Sequence, residues 1–156
     1  VELDGKFAEA RLNAGLIQVS SRRYADAKTQ LGEVVKLQPK NYDAWIGLGI
    51  AQRGLNELGD AESSYKKAKG IDGSRGEAAF NLGVLYKDFY GAKEATDLKK
   101  GKEYFSQARG FFADAQSKLK DAKDREEAKQ NVTDCEKLVA SYEEQIKIQA
   151  SAPAGS

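Results

Sequence analysis

The stretch that decides the fold is Asn41-Tyr42-Asp43-Ala44-Trp45-Ile46-Gly47-Leu48-Gly49-Ile50-Ala51-Gln52, followed from Gly59-Asp60-Ala61 by a second run through Tyr65 and Ala68 to Ile71. In both runs apolar and small residues recur at three- and four-residue spacings, the period of an amphipathic helix. Asn41 has the side chain of an N-cap, and Gly59-Asp60 marks the opening of the second helix. The pair therefore reads as two helices joined by a short turn, with Trp45, Leu48, Tyr65 and Ile71 filling the space between them. A Gly on the first helix set against an Ala or Gly on the second is expected to let the backbones approach.

The same pattern stands 34 residues to either side. Gly15, Gly49 and Gly83 align, as do Leu12, Ile46 and Phe80, Leu16, Ile50 and Val84, and Ala14, Leu48 and Leu82. In the second halves Tyr24, Leu58 and Leu98 align, then Ala27, Ala61 and Gly101, Leu31, Tyr65 and Phe105, and Val34, Ala68 and Ala108. The last of each set follows at a spacing of 40, which implies a six-residue insertion near 90–96. Pro39, Gly73 and Gly5 fall where successive units close. Self-similarity at a fixed period is the mark of a repeat array, so the expected fold is all-α, an α-solenoid of antiparallel helix pairs.

With Trp45, Leu48-Gly49, Ala61, Tyr65 and Ala68 in the second unit, Leu82-Gly83, Tyr86, Phe105 and Ala108 in the third, and Gly15, Tyr24, Ala27 and Pro39 in the first, the chain resembles the tetratricopeptide repeat (TPR) family. Gln52 stands where that pattern usually has Tyr, Gly73 where it has Pro, and Ala79 and Arg11 where it has Trp. The resemblance covers about Ala8 to Ala113 and implies a superhelix whose first helices line a concave side.

The expected organisation is a tail of a preceding repeat over 1–6, repeats over 7–40, 41–74 and 75–113, an extended helix and a capping helix over 114–149, and a disordered tail over 150–156. Leu3-Asp4-Gly5-Lys6 shares the register of Leu37-Gln38-Pro39-Lys40, and the chain has no Met. It is therefore expected to come from a longer array or a processed protein, with a cloning linker as the alternative. From Leu98 one long helix is expected through Phe112 to Ala122, with a phase break across Lys123 to Glu127. Asp124 and Glu127 then form a capping box for a last helix from about Arg125 to Gln149, which folds back as a cap because an open repeat face is apolar.

Composition narrows function. Among 156 residues there are 25 Lys and Arg against 24 Asp and Glu, so no basic excess speaks for nucleic acid. There is no His and one Cys, which removes the usual acid-base group and any Cys-based metal cluster. No apolar run approaches a membrane span. No catalytic residue, metal, cofactor or small-molecule substrate is expected, and the chain is not read as an enzyme. Cys135 reads as a small core residue, and the Lys99-Lys100-Lys102 run as a solvated face.

By the resemblance, the groove-facing residues are Leu12, Asn13, Leu16, Val19, Ile46, Gly47, Ile50, Arg53, Phe80, Asn81, Val84 and Lys87, mostly apolar. Family members that grip a C-terminal carboxylate carry Lys and Asn at the positions of Leu12 and Leu16, and basic residues at those of Glu77 and Asn81, so that clamp is absent here. The apolar ladder either receives a partner's peptide or amphipathic helix, with Phe80 as anchor and Asn13 and Asn81 bonding its backbone, or is covered within the chain. Tyr86, Phe89 and Tyr90 beside the insertion are a second contact candidate; the plainer reading is that the helix runs on and packs these rings against Leu98 and Phe105. The leading expectation is a protein-interaction scaffold. The alternatives are a bacterial envelope or motility-complex assembly factor, from a loose likeness of Asn81 to Tyr90 to repeat lipoproteins, and self-association through the open N-terminal face. Neither periplasm nor cytoplasm is favoured.

Overall fold

The computed structural model describes residues 2–94 and 96–151, with side chains from residue 6 onward. Helices α1 (Glu2–Ser20), α2 (Tyr24–Leu37), α3 (Tyr42–Gly54), α4 (Leu58–Ile71) and α5 (Glu77–Val84) are followed by a π-helical turn, Leu85–Tyr90, and a 3₁₀ turn, Gly91–Lys93. Helices α6 (Leu98–Lys118) and α7 (Ala122–Ser151) complete an all-α, helical-repeat fold. Two compact units are present, Val1–Asn81 and Leu82–Ser156, and each is described by itself.

In the first unit, α1 packs on α2 and α3 on α4 as antiparallel hairpins. Asn41 caps α3 as expected, its side-chain oxygen accepting from the Ala44 amide at 3.0 Å. Both hairpins turn in the same way. Arg22 (φ 58°) and Asn56 (φ 62°) lie in the left-handed region, 34 residues apart. The Arg22 amide donates to the Val19 carbonyl and the Arg23 amide to Gln18; the Asn56 amide donates to Arg53 and the Glu57 amide to Gln52. These are two copies of one Schellman closure, and the second leads directly into α4 at Leu58, one residue before the expected Gly59.

The glycines work differently from expectation. A β-carbon on Gly15 would lie 2.6 Å from Leu31, and one on Gly49 would lie 2.5 Å from the Tyr65 ring. Each glycine faces a large side chain of the opposite helix, not an Ala or Gly, because a missing side chain makes the recess that a large one fills. Leu31 and Tyr65 are accordingly fully buried. Leu3 to Lys6 also depart from expectation. They belong to α1, which runs unbroken from Glu2 to Ser20, and Gly5 ends no helix.

In the second unit the hairpin is longer. A β-carbon on Gly83 would lie 2.8 Å from Phe112, and one on Gly91 would lie 2.8 Å from Phe105. The counterpart of Tyr65 is thus Phe112, 47 residues on, and the insertion is one heptad longer than the expected six residues. Gly101, Phe105 and Ala108 imitate Ala108, Phe112 and Ala115 seven positions later, so periodicity by itself cannot separate the two alignments.

Helix α6 ends at Lys118, earlier than expected, and the break falls at Leu119 to Asp121. The cap of α7 is Asp121, which accepts from the amides of Lys123 and Asp124 at 2.8 and 3.1 Å, so the expected Asp124–Glu127 box is not the start signal. Helix α7 lies antiparallel along α6. Lys102 pairs with Glu143 at 2.8 Å, and Tyr142 packs at a tilt against Phe105 with ring centres 5.4 Å apart. Ala128 and Cys135 are fully buried on its inner side. Burial raises the Cys135 thiol to about 11, which keeps it protonated and unreactive.

Candidate functional site

In the first unit α1, α3 and the first turn of α5 stand side by side. The α1–α3 approach depends on Gly47, where a β-carbon would lie 2.9 Å from both Leu16 and Leu31. The α3–α5 approach is marked by Arg53, whose guanidinium donates to the Asn81 side-chain oxygen at 3.4 Å. The Asn81 amide group in turn donates to the Glu77 carbonyl at 2.9 Å.

Along this row Leu12, Leu16, Ile46, Ile50 and Phe80 are half-buried, and Asn13 is exposed. Leu12, Leu16 and Val19 pack against the outside of a core of Ala27, Leu31, Val34, Val35, Ala44, Leu48 and Ala51, and Ile46 packs against Tyr42, Ala68 and Ala78. The row is an aliphatic wall with a polar end at Arg53 and Asn81.

Val84 and Lys87 belong to the second unit. Val84 is half-buried, and the Lys87 ammonium donates to the Asn131 side-chain oxygen of α7 at 2.5 Å and lies 3.7 Å from Asp88. Lys87 is therefore held by the chain's own last helix and is not an open groove cation.

The Tyr86 ring is buried, 8% exposed, among Tyr90, Tyr104 and Phe111, with ring centres 5.2, 5.9 and 5.2 Å away. Phe89 is half-buried. The helix does run on, and Tyr86 packs on Tyr104 and Phe111 and Tyr90 on Tyr104. Tyr86 is a packing residue, whereas Tyr90, like Phe89, is half-buried.

Two polar clusters escaped the sequence reading. The Ser64 hydroxyl donates to the Gln52 side-chain oxygen at 2.6 Å, both residues buried; Gln52 in place of the family's Tyr was the available signal. The Tyr42 hydroxyl accepts from the Ala78 amide at 3.0 Å and donates to Glu77 at 3.3 Å. Arg75 lies 3.9 Å over the Tyr42 ring and pairs with Asp43 and Glu77. Burial raises Tyr42 to about 12. Burial also pushes the Glu77 carboxyl upward, but its own amide, Arg75 and Tyr42 outweigh that and hold it low. These residues fasten the start of α5 to α3. Their chain separations of 32 to 36 residues follow the repeat, which hid them from local pattern reading.

Among the described residues no group of His, Cys, Asp and Glu is placed to hold a metal ion, and no helix is long and apolar enough to cross a membrane.

Residues 12–76 match the tetratricopeptide repeat family model. Over residues 12–76 the chain is of the tetratricopeptide repeat type. Over 86 residues, 55% of this chain, it is 31% identical to heat shock protein STI1 of Saccharomyces cerevisiae. The chain spans only 15% of the length of that protein and 5% to 8% of the other curated relatives it matches. Two solved structures share the repeat fold. PcrH in complex with the chaperone binding region of PopD superposes with TM-score 0.57 at 15% identity, covering 88% of this chain and 91% of that one. The first TPR of Spaghetti (RPAP3) bound to HSP90 peptide SRMEEVD gives 0.59 at 15% identity, covering 86% of this chain and 94% of that one.

Proposed function

We propose that these repeats form a protein-interaction scaffold, in which the α1–α3–α5 wall of the first unit receives an apolar peptide or amphipathic helix of a partner and no chemistry is performed. The observation that carries this reading is the half-burial of Leu12, Leu16, Ile46 and Ile50 beside a core whose own members, Leu31, Val34 and Ala44, are fully buried. Each of those four side chains keeps part of its surface open, and that part is available for a ligand.

The fold relatives supply the precedent, since the PcrH and Spaghetti structures each hold a segment of another protein. The ligand chemistry differs. SRMEEVD is an acidic peptide, whereas this wall presents Leu12 and Leu16, with Glu77 near its end, and has no cation row for a carboxylate. An aliphatic segment fits it better, with Asn13, Arg53 and Asn81 bonding its backbone. Covering the open part of each aliphatic anchor is worth on the order of 1 kcal/mol. Micromolar affinity, about −8 kcal/mol, therefore needs the polar contacts as well.

The experiment is affinity capture from the native host with the wild-type chain, Ile50→Glu and Phe80→Glu, each checked by circular dichroism and melting. The expected result is a specific partner lost from both variants while helicity and melting temperature stay close to wild type. Retention of the partner by both variants would remove the wall as the site. Loss of the fold in parallel with binding would mean that these side chains are core.

A further inference from the structure

The connection between α6 and α7 differs from the other helix connections. Arg22 and Asn56 turn the first two hairpins in the left-handed region. Pro39 lies between α2 and α3, Gly73 and Gly76 between α4 and α5, and Gly91 ahead of α6. Between α6 and α7 stand only Leu119, Lys120 and Asp121, and residues 111–152 hold neither Gly nor Pro. Leu119 leaves the helix with ordinary extended angles, φ −64° and ψ 134°. Leu and Lys are good helix formers, so no residue here forbids the backbone from straightening. A short hinge without a breaker is where an arm of a fold can open.

What α7 holds on α6 is equally present on another copy. Tyr142 fills the recess of Gly101, where a β-carbon would lie 2.5 Å from its ring. In that antiparallel register Cys135 falls opposite Ala108 and Ala128 opposite Ala115, at successive heptads, and all four are fully buried. Lys102 and Arg109 of α6, one heptad apart, pair with Glu143 and Glu136 of α7 at 2.8 and 3.9 Å. Asn131 accepts from Lys87 on the π-helical turn before α6. These contacts re-form unchanged when α7 comes from a second copy. Charge selects the mate. Glu136 and Glu143 would face their own kind in an α7–α7 contact, and Lys102 and Arg109 in an α6–α6 contact, so only α6 against α7 is complementary. Exposed pairs of this kind fix partner choice more than they add strength.

We propose that two copies of this chain exchange α7, giving a two-fold dimer in which each α7 lies on the α6 of the other copy. The closed hairpin keeps α7 at an effective concentration on the order of millimolar, so exchange needs a concentrated chain or passage through the unfolded state. It involves the second unit only and leaves the proposed ligand wall untouched, so the two readings stand or fall separately.

Refolding from urea at about 10 μM to about 1 mM, a range that reaches that effective concentration, tests this, with masses read by sedimentation velocity and native mass spectrometry. The dimer fraction of the wild type should rise several-fold across the range. Lys120→Pro blocks straightening, and Leu119 already has the ψ that a following Pro requires. That variant should stay monomeric at unchanged helicity by circular dichroism. The sharper arm co-refolds two charge-reversed proteins, one with Glu136→Lys and Glu143→Lys, the other with Lys102→Glu and Arg109→Glu. Each closed hairpin then opposes like charges, and only the exchanged heterodimer restores both pairs in both copies. The mixture should give several-fold more heterodimer than homodimer of either protein. A wild type that stays monomeric throughout overturns the proposal. So does a dimer that survives Lys120→Pro, or a mixture with no excess of heterodimer.

Discussion

The two units solve one problem, how to turn a helix hairpin, in different ways. In the first unit Arg22 and Asn56 take the left-handed conformation and the chain reverses within a few residues. At the corresponding place in the second, Tyr90 (φ −83°, ψ −54°) and Gly91 (φ −61°, ψ −44°) stay right-handed, and the helix continues through π and 3₁₀ turns to Lys93. The added length is used. Tyr86 and Tyr90 acquire Tyr104 as a common neighbour, and Gly91 gives Phe105 a recess. What stays constant is the glycine and its bulky partner: Gly15 with Leu31, Gly49 with Tyr65, Gly83 with Phe112. The hairpin can lengthen at its turn because the contact that sets the distance between its helices lies elsewhere.

That comparison can be broken at its strongest point first. Phe112→Ala empties a fully buried site against Gly83 and should destabilise by about 3–5 kcal/mol in urea unfolding. Combined with Gly83→Ala its effect should be markedly non-additive, because the new β-carbon enters the space the ring has left. Phe105→Ala with Gly83→Ala should add within about 0.5 kcal/mol. Coupling to Phe105 in place of Phe112 would restore the six-residue insertion.

Next in size is the glycine contrast. Gly49→Ala drives a β-carbon into the Tyr65 ring and should destabilise by about 1–3 kcal/mol despite the better helix propensity of Ala. Gly110→Ala, with nothing within 4 Å on α6, should stabilise by up to about 1 kcal/mol. Equal melting shifts from the two would show that space is not what sets the glycine positions.

The smallest effect sharpens the turns. Arg22→Gly relieves a left-handed Arg and should stabilise by about 0.5 kcal/mol, whereas Tyr90→Gly, in a right-handed helical turn with two ring contacts, should destabilise. Chemical unfolding of both variants, read against wild type, decides the signs.

Much of the fold was legible because repeat period and helix period are both local to the sequence. Asn41 announced α3, and Gly15, Gly49 and Gly83 fixed the frame of the units. The site was legible only as a row. Leu12, Leu16, Ile46 and Ile50 are alike half-buried, but nothing around Lys87 signals that Asn131, 44 residues on, holds it. Nor does anything local to Tyr86 show that its ring is enclosed.

The sequence by itself determined that this chain is a series of helix hairpins, since apolar spacing and a 34-residue recurrence admit little else. Tertiary structure alone decided which heptad of α6 meets Gly83, where α6 gives way to α7, and which of the expected ligand residues remain open. The reason is physical. A helix stripe repeats nearly identically every seven residues, so sliding by one heptad leaves the pattern intact. Only the fit of one side chain into one recess distinguishes the registers.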